Sequence, residues 1–262
     1  MPQVSATLNV MIGAARKAAR ALARDFGEVE NLQVSRKGPS DFVSNADHKA
    51  EQTVFEELSK ARPGYGFLME ERGAIEGSDK THRWIVDPLD GTTNFLHGIP
   101  HFAISIALER EGVLVAGVIY NVVRDELFWA EKGAGAYLND RRLRVSARKD
   151  MRDALFATGT PFNGTKGHDV FLREIERVIA KTAGVRRWGA ASLDLAYVAA
   201  GRFDGFWERN LSPWDIAAGA VLVREAGGVV TEPDGADFMK TGAVLAANTA
   251  LAPLLTQTLR GG

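Results

Sequence analysis

Apolar residues near the start of the chain recur at a helical period. Leu8, Met11, Ile12, Ala15, Ala18, Ala19, Leu22 and Phe26 predict an amphipathic helix over about 5–26, with that stripe turned to a core. A second helix is predicted from Ser44, where Ser44-x-x-Asp47 has the form of a capping box, through Val54 and Leu58 to the Arg62-Pro63-Gly64 stop. Asp47 and Glu51 would then lie one turn apart on one face. From 65 to about 146 the pattern changes to short β-type runs at 67–69, 84–86, 102–108, 113–120, 127–130 and 143–145. Close turns such as Glu111-Gly112 predict antiparallel neighbours. After about 150, β runs at 155–157, 185–188, 203–207, 229–230 and 244–246 alternate with helices at 169–182, 190–200, 214–226 and the C-terminus. This order predicts a mixed α/β chain: an antiparallel N-terminal subdomain, 1–146, and an alternating α/β subdomain, 147–262. No linker, low-complexity tract or internal repeat separates them, so the halves are expected to share an interface.

With 262 residues, 45% of them hydrophobic, the chain can bury a sizeable core without a staple. It has no cysteine. This excludes disulfides, thiolate metal sites and a cysteine nucleophile, and fits a reducing cytoplasm. The N-terminal stretch, with Arg16, Lys17, Arg20 and Arg24, lacks a secretory pattern. No run approaches the roughly 18 uninterrupted apolar residues of a membrane span. A soluble, cytoplasmic protein without a membrane partner is expected. The formal charge of −1 gives no overall attraction for nucleic acid. Segment 141–149, with five positive charges in nine residues, is a candidate RNA or partner patch. Its alternation around Leu143 and Val145 also fits a strand with one wet face, the reading preferred here.

The chemistry concentrates where one apolar run ends. Trp84-Ile85-Val86 is followed by Asp87-Pro88-Leu89-Asp90-Gly91-Thr92-Thr93, which places two carboxylates three residues apart. Carboxylate and carbonyl oxygens suit hard cations such as Mg²⁺, and the proline stiffens the turn that aims them. Gly-Thr-Thr could open a short helix whose amides receive an anion. Metal beside anion points to phosphate chemistry, although Asp-Pro and Asp-Gly are also ordinary turn formers. The spacing fits neither an EF-hand loop nor a P-loop. His97 and His101 have Pro100 between them and no His-Glu-x-x-His, which disfavours zinc. Gly133-x-Gly135 lacks the third glycine of a dinucleotide fingerprint, and Asn163-Gly-Thr165 is a formal glycosylation sequon without meaning in a cytoplasmic chain.

Residues 84–95, Trp-Ile-Val-Asp-Pro-Leu-Asp-Gly-Thr-Thr-Asn-Phe, resemble the central signature of the inositol monophosphatase family. Residues 214–228, from Trp214-Asp215 to the closing Gly227-Gly228, resemble its C-terminal motif, and segments 41–47, Glu70-Glu71 and 189–195 sit where the family has related ones. The resemblance implies a layered α/β/α/β/α sandwich and a lithium-sensitive, Mg²⁺-dependent phosphatase acting on inositol 1-phosphate. It also implies two to three ions per site and a homodimer. Metal-ligand roles fall on Glu70, Asp87, the Leu89 carbonyl, Asp90 and Asp215. Thr92 and Asp47 would orient and deprotonate the attacking water, and no covalent phosphoenzyme is implied. Gly91 and Thr92 amides would hold phosphate, while Gly189, Ala191 and Glu208, with Asp90 and Asp215, would contact the polyol. Asp41 and Glu71 are weaker candidates. Met69 departs from the glycine usual in the family before the paired glutamates. Within the superfamily the substrate could instead be fructose 1,6-bisphosphate, a 3′-phosphonucleotide, NADP(H) or histidinol phosphate. A role outside catalysis would be macromolecular binding through 141–149.

Overall fold

The computed structural model describes residues 4–28, 34–36, 42–162 and 164–261; Asp41 and Asn163 lie outside them. Helix α1 (Ala6–Phe26) begins where the Leu8 amide donates to the Ser5 hydroxyl at 3.1 Å. That bond satisfies one of the amides a helix start leaves open. The expected stripe is buried, with Leu8, Met11, Ala15, Ala18 and Leu22 fully covered. A ribbon of β1 (Val34–Arg36) and β2 (Phe42–Ser44) then leads into α2 (Asn45–Ala61). Ser44 therefore closes a strand, and its side chain lies outside the described residues. Helix α2 stops ahead of Pro63, where a proline ring would collide with the preceding turn.

Eight strands form the large sheet: β3 (Tyr65–Met69), β4 (Gly73–Ile75), β5 (Asp79–Asp90), β6 (Ala103–Arg110), β7 (Val113–Asn121), β8 (Glu126–Glu131), β9 (Gly135–Leu138) and β10 (Arg141–Arg142). Their order is 10-9-8-7-6-5-3-4, and α3 (Thr92–Leu96) follows β5. Neighbours are antiparallel except β3 and β5, which run parallel, so the expectation of antiparallel pairing fails at that one place. The parallel register sets Met69 opposite Val86, which brings the following Glu70 to the end of β5 beside Asp87. The strand expected at 143–145 is also corrected. Regular pairing ends at Arg142, and 143–149 runs as an extended segment held by single bonds from Leu143 N to Ala136 O and from Val145 N to Ala226 O. The burial alternation of Leu143 and Arg144 is present without a ladder.

The small sheet contains β11 (Leu155–Thr158), β12 (Gly184–Arg186), β13 (Gly205–Glu208), β14 (Val229–Thr231) and β15 (Val244–Ala247), in the order 12-11-13-15-14. Its helices are α4 (His168–Ile179), α5 (Ala191–Ala199), α6 (Pro213–Glu225), the short α7 (Phe238–Thr241) and α8 (Leu251–Arg260). Alternate residues of each strand face opposite ways. Trp84 and Val86 pack on α1 and α2, whereas Ile85 packs on α5 and α6. Ala157, Phe206 and Ala246 meet α5 and α6 from the other side, while Phe156, Trp207 and Leu245 turn to α4 and α8. Five layers result, α/β/α/β/α. Both sheets are buried on both faces, which explains their nearly continuous apolar runs.

The layer between the sheets is one core, not two. Phe206→Ala, at a fully buried position in it, is expected to cost about 3–5 kcal/mol. Urea unfolding followed by tryptophan fluorescence and by far-ultraviolet dichroism should give coincident transitions in wild type and variant. Separate transitions for the two halves would contradict a shared core.

Candidate active site

Strand β5 delivers the first carboxylates. Asp87 pairs with Ser105 and Asp90 with Ala103, so one extra residue is accommodated between them and Pro88-Leu89 bulges from the ladder. A proline lacks the amide a regular strand would require, and the bulge removes that requirement. The Leu89 amide donates to Asp87 Oδ1 at 2.9 Å. Gly91 then turns the chain at φ 92°, a left-handed conformation, and a Cβ there would lie 3.0 Å from the His101 carbonyl. Thr92 starts α3, and its hydroxyl donates to the Leu89 carbonyl at 3.0 Å.

Two helix starts from the middle layer converge on the same point. The Ser192 amide and hydroxyl donate to Asp90 Oδ2 at 2.7 and 2.5 Å, and the amides of Ala191 and Leu193 are directed at the same carboxylate. Asp215 lies in the first turn of α6, where its Oδ2 accepts from the Ser212 amide at 2.7 Å. The positive ends of α5 and α6 thus face two acids. Asp87, Asp90 and Asp215 each offer an oxygen, all within 4.8 Å of one another. A cavity of about 490 Å³ opens above them.

The electrostatics of this cluster are unfavourable for three free anions. Burial, followed by the charges of Glu70, Asp90 and Asp215, pushes the Asp87 carboxyl well above the usual range. Burial and Asp90 do the same to Asp215. Asp90 is raised to about 6 by burial, with the α5 donors opposing the shift. Across the cavity, Glu208 is raised to about 8 by burial and by Asp215. Asp194, wholly buried on α5, is pushed up by burial and then by Glu208 and Asp90. Among the described residues none of Asp87, Asp90 and Asp215 makes an ion pair with a basic side chain. An oxygen-only donor set with no internal counter-charge fits a hard divalent cation.

Of the residues expected from sequence, Glu70, Asp87, Leu89, Asp90, Gly91, Thr92, Gly189, Ala191, Glu208 and Asp215 line this single cavity. Asp47 is buried in the first turn of α2 and is not among the lining residues. Glu71 has its amide on Glu51 Oε2 at 2.8 Å and its carboxylate 3.7 Å from His48 Nδ1. Glu51, held also by Arg72 at 3.2 Å, therefore braces the turn that carries Glu70. Met69 is fully buried in the core, and His101 is buried against Trp188 with its pKa lowered to about 4 by burial.

Sequence reasoning missed four contributors. Asn94 donates to the carbonyls of His101 and Trp188, both at 2.8 Å, and ties α3 to the approach of α5. Ser192 anchors Asp90. Arg187 lines the cavity with its Nε on Thr160 Oγ1 at 3.2 Å. Gly159 leaves room for Glu208, since a Cβ there would fall 1.7 Å from Glu208 Oε1. Asn94 stands inside segment 84–95 and Ser192 inside segment 189–195, the one signal that could have singled them out.

The model of the inositol monophosphatase family matches residues 3–261. The chain belongs to this family. It is 62% identical over 257 residues to a Mesorhizobium japonicum protein named inositol-1-monophosphatase, covering 98% of this chain and 97% of that one. Identity is 47% over 258 residues, covering 97% and 95% of the two chains, to a Pseudomonas aeruginosa protein named Nus factor SuhB. The crystal structure of the extragenic suppressor protein suhB from Bartonella henselae superposes with a TM-score of 0.96 at 59% identity, covering 98% of this chain and 100% of that one. The inositol monophosphatase family is metal-dependent, in keeping with the carboxylate cluster.

A buried acid whose folded pKa is raised lowers stability as pH climbs from its unfolded value towards the folded one. For Glu208 that window runs from 4.5 to about 8. In metal-free protein, Glu208→Gln should therefore raise the melting temperature at pH 9 and leave it nearly unchanged at pH 4, where the wild-type carboxyl is protonated. Equal stabilisation at both pH values, read by calorimetry in chelator, would contradict this assignment.

Proposed function

We propose that the chain hydrolyses inositol 1-phosphate to inositol and phosphate by attack of water, with Mg²⁺ as cofactor. The observation that carries this reading is the convergence of Asp87, Asp90 and Asp215 from a strand end and a helix start beneath one cavity, opposite Glu208. Glu70, Asp87 and the Leu89 carbonyl would hold a cation on the nucleophile side, and Asp90 with Asp215 one on the leaving-group side. When bound, Mg²⁺ lowers the proton affinity of water, neutralises phosphoryl charge and stabilises the leaving alkoxide.

The chain's own groups supply the rest. Because Thr92 spends its proton on the Leu89 carbonyl, its oxygen lone pairs are free to accept from the attacking water. Asp47 would be the final acceptor, with Thr92 as relay: its oxygen would take the proton of the water as its own hydroxyl proton turned from the Leu89 carbonyl to Asp47. Amides of Gly91 and Thr92 would orient phosphate oxygens. Glu208, with Gly189 and Ala191 beside it, would accept from polyol hydroxyls and so select a polyol over a simple alcohol. In this division of labour 1–146 carries most ligands and 147–262 completes the site with Asp215 and Glu208. Lithium sensitivity, a homodimer and a cytoplasmic setting belong to the same proposal. Among the described residues no helix is long and apolar enough to cross a membrane.

A binding role through 141–149 has less support. Arg148 is spent on the buried Asp204 at 3.2 Å, and Asn248 holds the carbonyls of Ser146 and Arg148 at 2.9 and 2.8 Å. These contacts give the segment a structural task, joining the two sheets. Phosphate release should be measured with inositol 1-phosphate, fructose 1,6-bisphosphate, a 3′-phosphonucleotide, NADP(H) and histidinol phosphate at fixed Mg²⁺. The highest kcat/KM is expected for inositol 1-phosphate, with Asp87→Asn at least about a thousandfold slower. Fastest turnover of another ester would overturn the substrate assignment.

A further inference from the structure

Glu208 is the last residue of β13, and among the described residues no hydrogen bond reaches its carboxylate. Arg187 contributes charge without an ion pair, and Gly159 contributes space. The direction of this side chain therefore rests on its backbone, which is paired with Val244 of β15, and on the segment that follows, which is fastened residue by residue. Arg209 directs Nε and Nη2 at Glu174 Oε1, at 2.9 and 2.7 Å, and Nη1 at Asp234 Oδ2 at 3.3 Å. Glu174 stands on α4 and is 3% exposed. Asn210, at φ 62°, donates from Nδ2 to the Lys166 carbonyl at 3.3 Å. The Leu211 amide donates to the Gly242 carbonyl at 2.9 Å. The next residue, Ser212, starts the helix that carries Asp215.

Arg209 is the one charged member of this run, and its main partner is an acid removed from water. Burying a carboxylate is costly unless it is paired, so Glu174 favours the single arrangement in which Arg209 reaches it. In that arrangement the Arg209 guanidinium is held to α4, and Arg209 and its chain neighbour Glu208 both line the cavity. We propose that Glu174 and Arg209 form a clamp that positions Glu208 for the polyol, making them specificity-determining residues that touch no reacting atom. The inference rests on the reading of Glu208 as a hydroxyl acceptor. A fixed acceptor discriminates between alcohols, whereas a mobile one accommodates many.

The test compares wild type, Glu174→Gln, Arg209→Lys and the double replacement Glu174→Met with Arg209→Met, which removes both buried charges and keeps the apolar packing. Melting temperatures confirm folding. Each protein is assayed at one Mg²⁺ concentration on inositol 1-phosphate and on p-nitrophenyl phosphate, whose leaving group has no hydroxyl for Glu208. The clamp predicts an increase in KM for inositol 1-phosphate of about tenfold in the double variant, with kcat nearly kept and Arg209→Lys intermediate. Turnover of p-nitrophenyl phosphate should stay within about twofold of wild type. Added to Glu208→Gln, the double replacement should cause no further loss on inositol 1-phosphate. Parallel losses on both substrates, or losses that add to Glu208→Gln, would overturn the clamp. Wild type active on both substrates with unchanged clamp variants would overturn it alone. Wild type active on p-nitrophenyl phosphate but not on inositol 1-phosphate would overturn the substrate reading beneath it.

Discussion

Three carboxylates that repel one another are held in a space with little water. Asp87, Asp90 and Asp215 come within 4.8 Å, two of them buried and the third half-buried. No basic side chain pairs with any of them among the described residues. Left alone, such a cluster takes up protons, which is the direction in which all three carboxyls are shifted. A fold that maintains this arrangement spends stability on it, and a bound metal ion would return part of that stability. The unfavourable electrostatics of the metal-free protein and the capacity for catalysis are two aspects of one constraint.

The five layers supply the force that opposes the repulsion. β5 is clamped between β6 and β3, so its end cannot retreat. The middle layer presents the starts of α5 and α6, whose amides and partial positive charge partly offset two of the acids. Because these helices pack on both sheets, the site draws its residues from both sheets and from the layer between them. Positioning of this kind matters for phosphoryl transfer, where catalysis consists largely of orientation and charge neutralisation.

Much of this was legible in the sequence, for reasons that are local. The stripe of α1, the Asp87-to-Thr92 turn and the Trp214–Gly228 motif each lie within one or two elements. Spacing places the residues of the first two, and the resemblance to a family motif places those of the third. Other features depended on contacts between distant positions. Ser192 meets Asp90 across 102 residues and Asn94 meets Trp188 across 94. Glu174 and Arg209 meet across 35 residues, a pairing that no local pattern displays. The parallel entry of β3 beside β5 was hidden because an apolar run carries no sign of strand direction. Residues 143–145 had the alternation of a strand but leave the ladder, since their task is to cross from one sheet to the other.

The central claim is that the carboxylate cluster would hold a cation, whose binding would oppose the upward shift that burial and mutual repulsion give its acids. Its most direct test is calorimetric titration of Mg²⁺ into metal-free wild type and Asp87→Asn near pH 7, repeated in buffers of different ionisation enthalpy. Saturable binding to wild type with release of protons, together with its loss in Asp87→Asn, is the predicted result. Equal binding by the variant, or binding to wild type without proton release, would contradict the account.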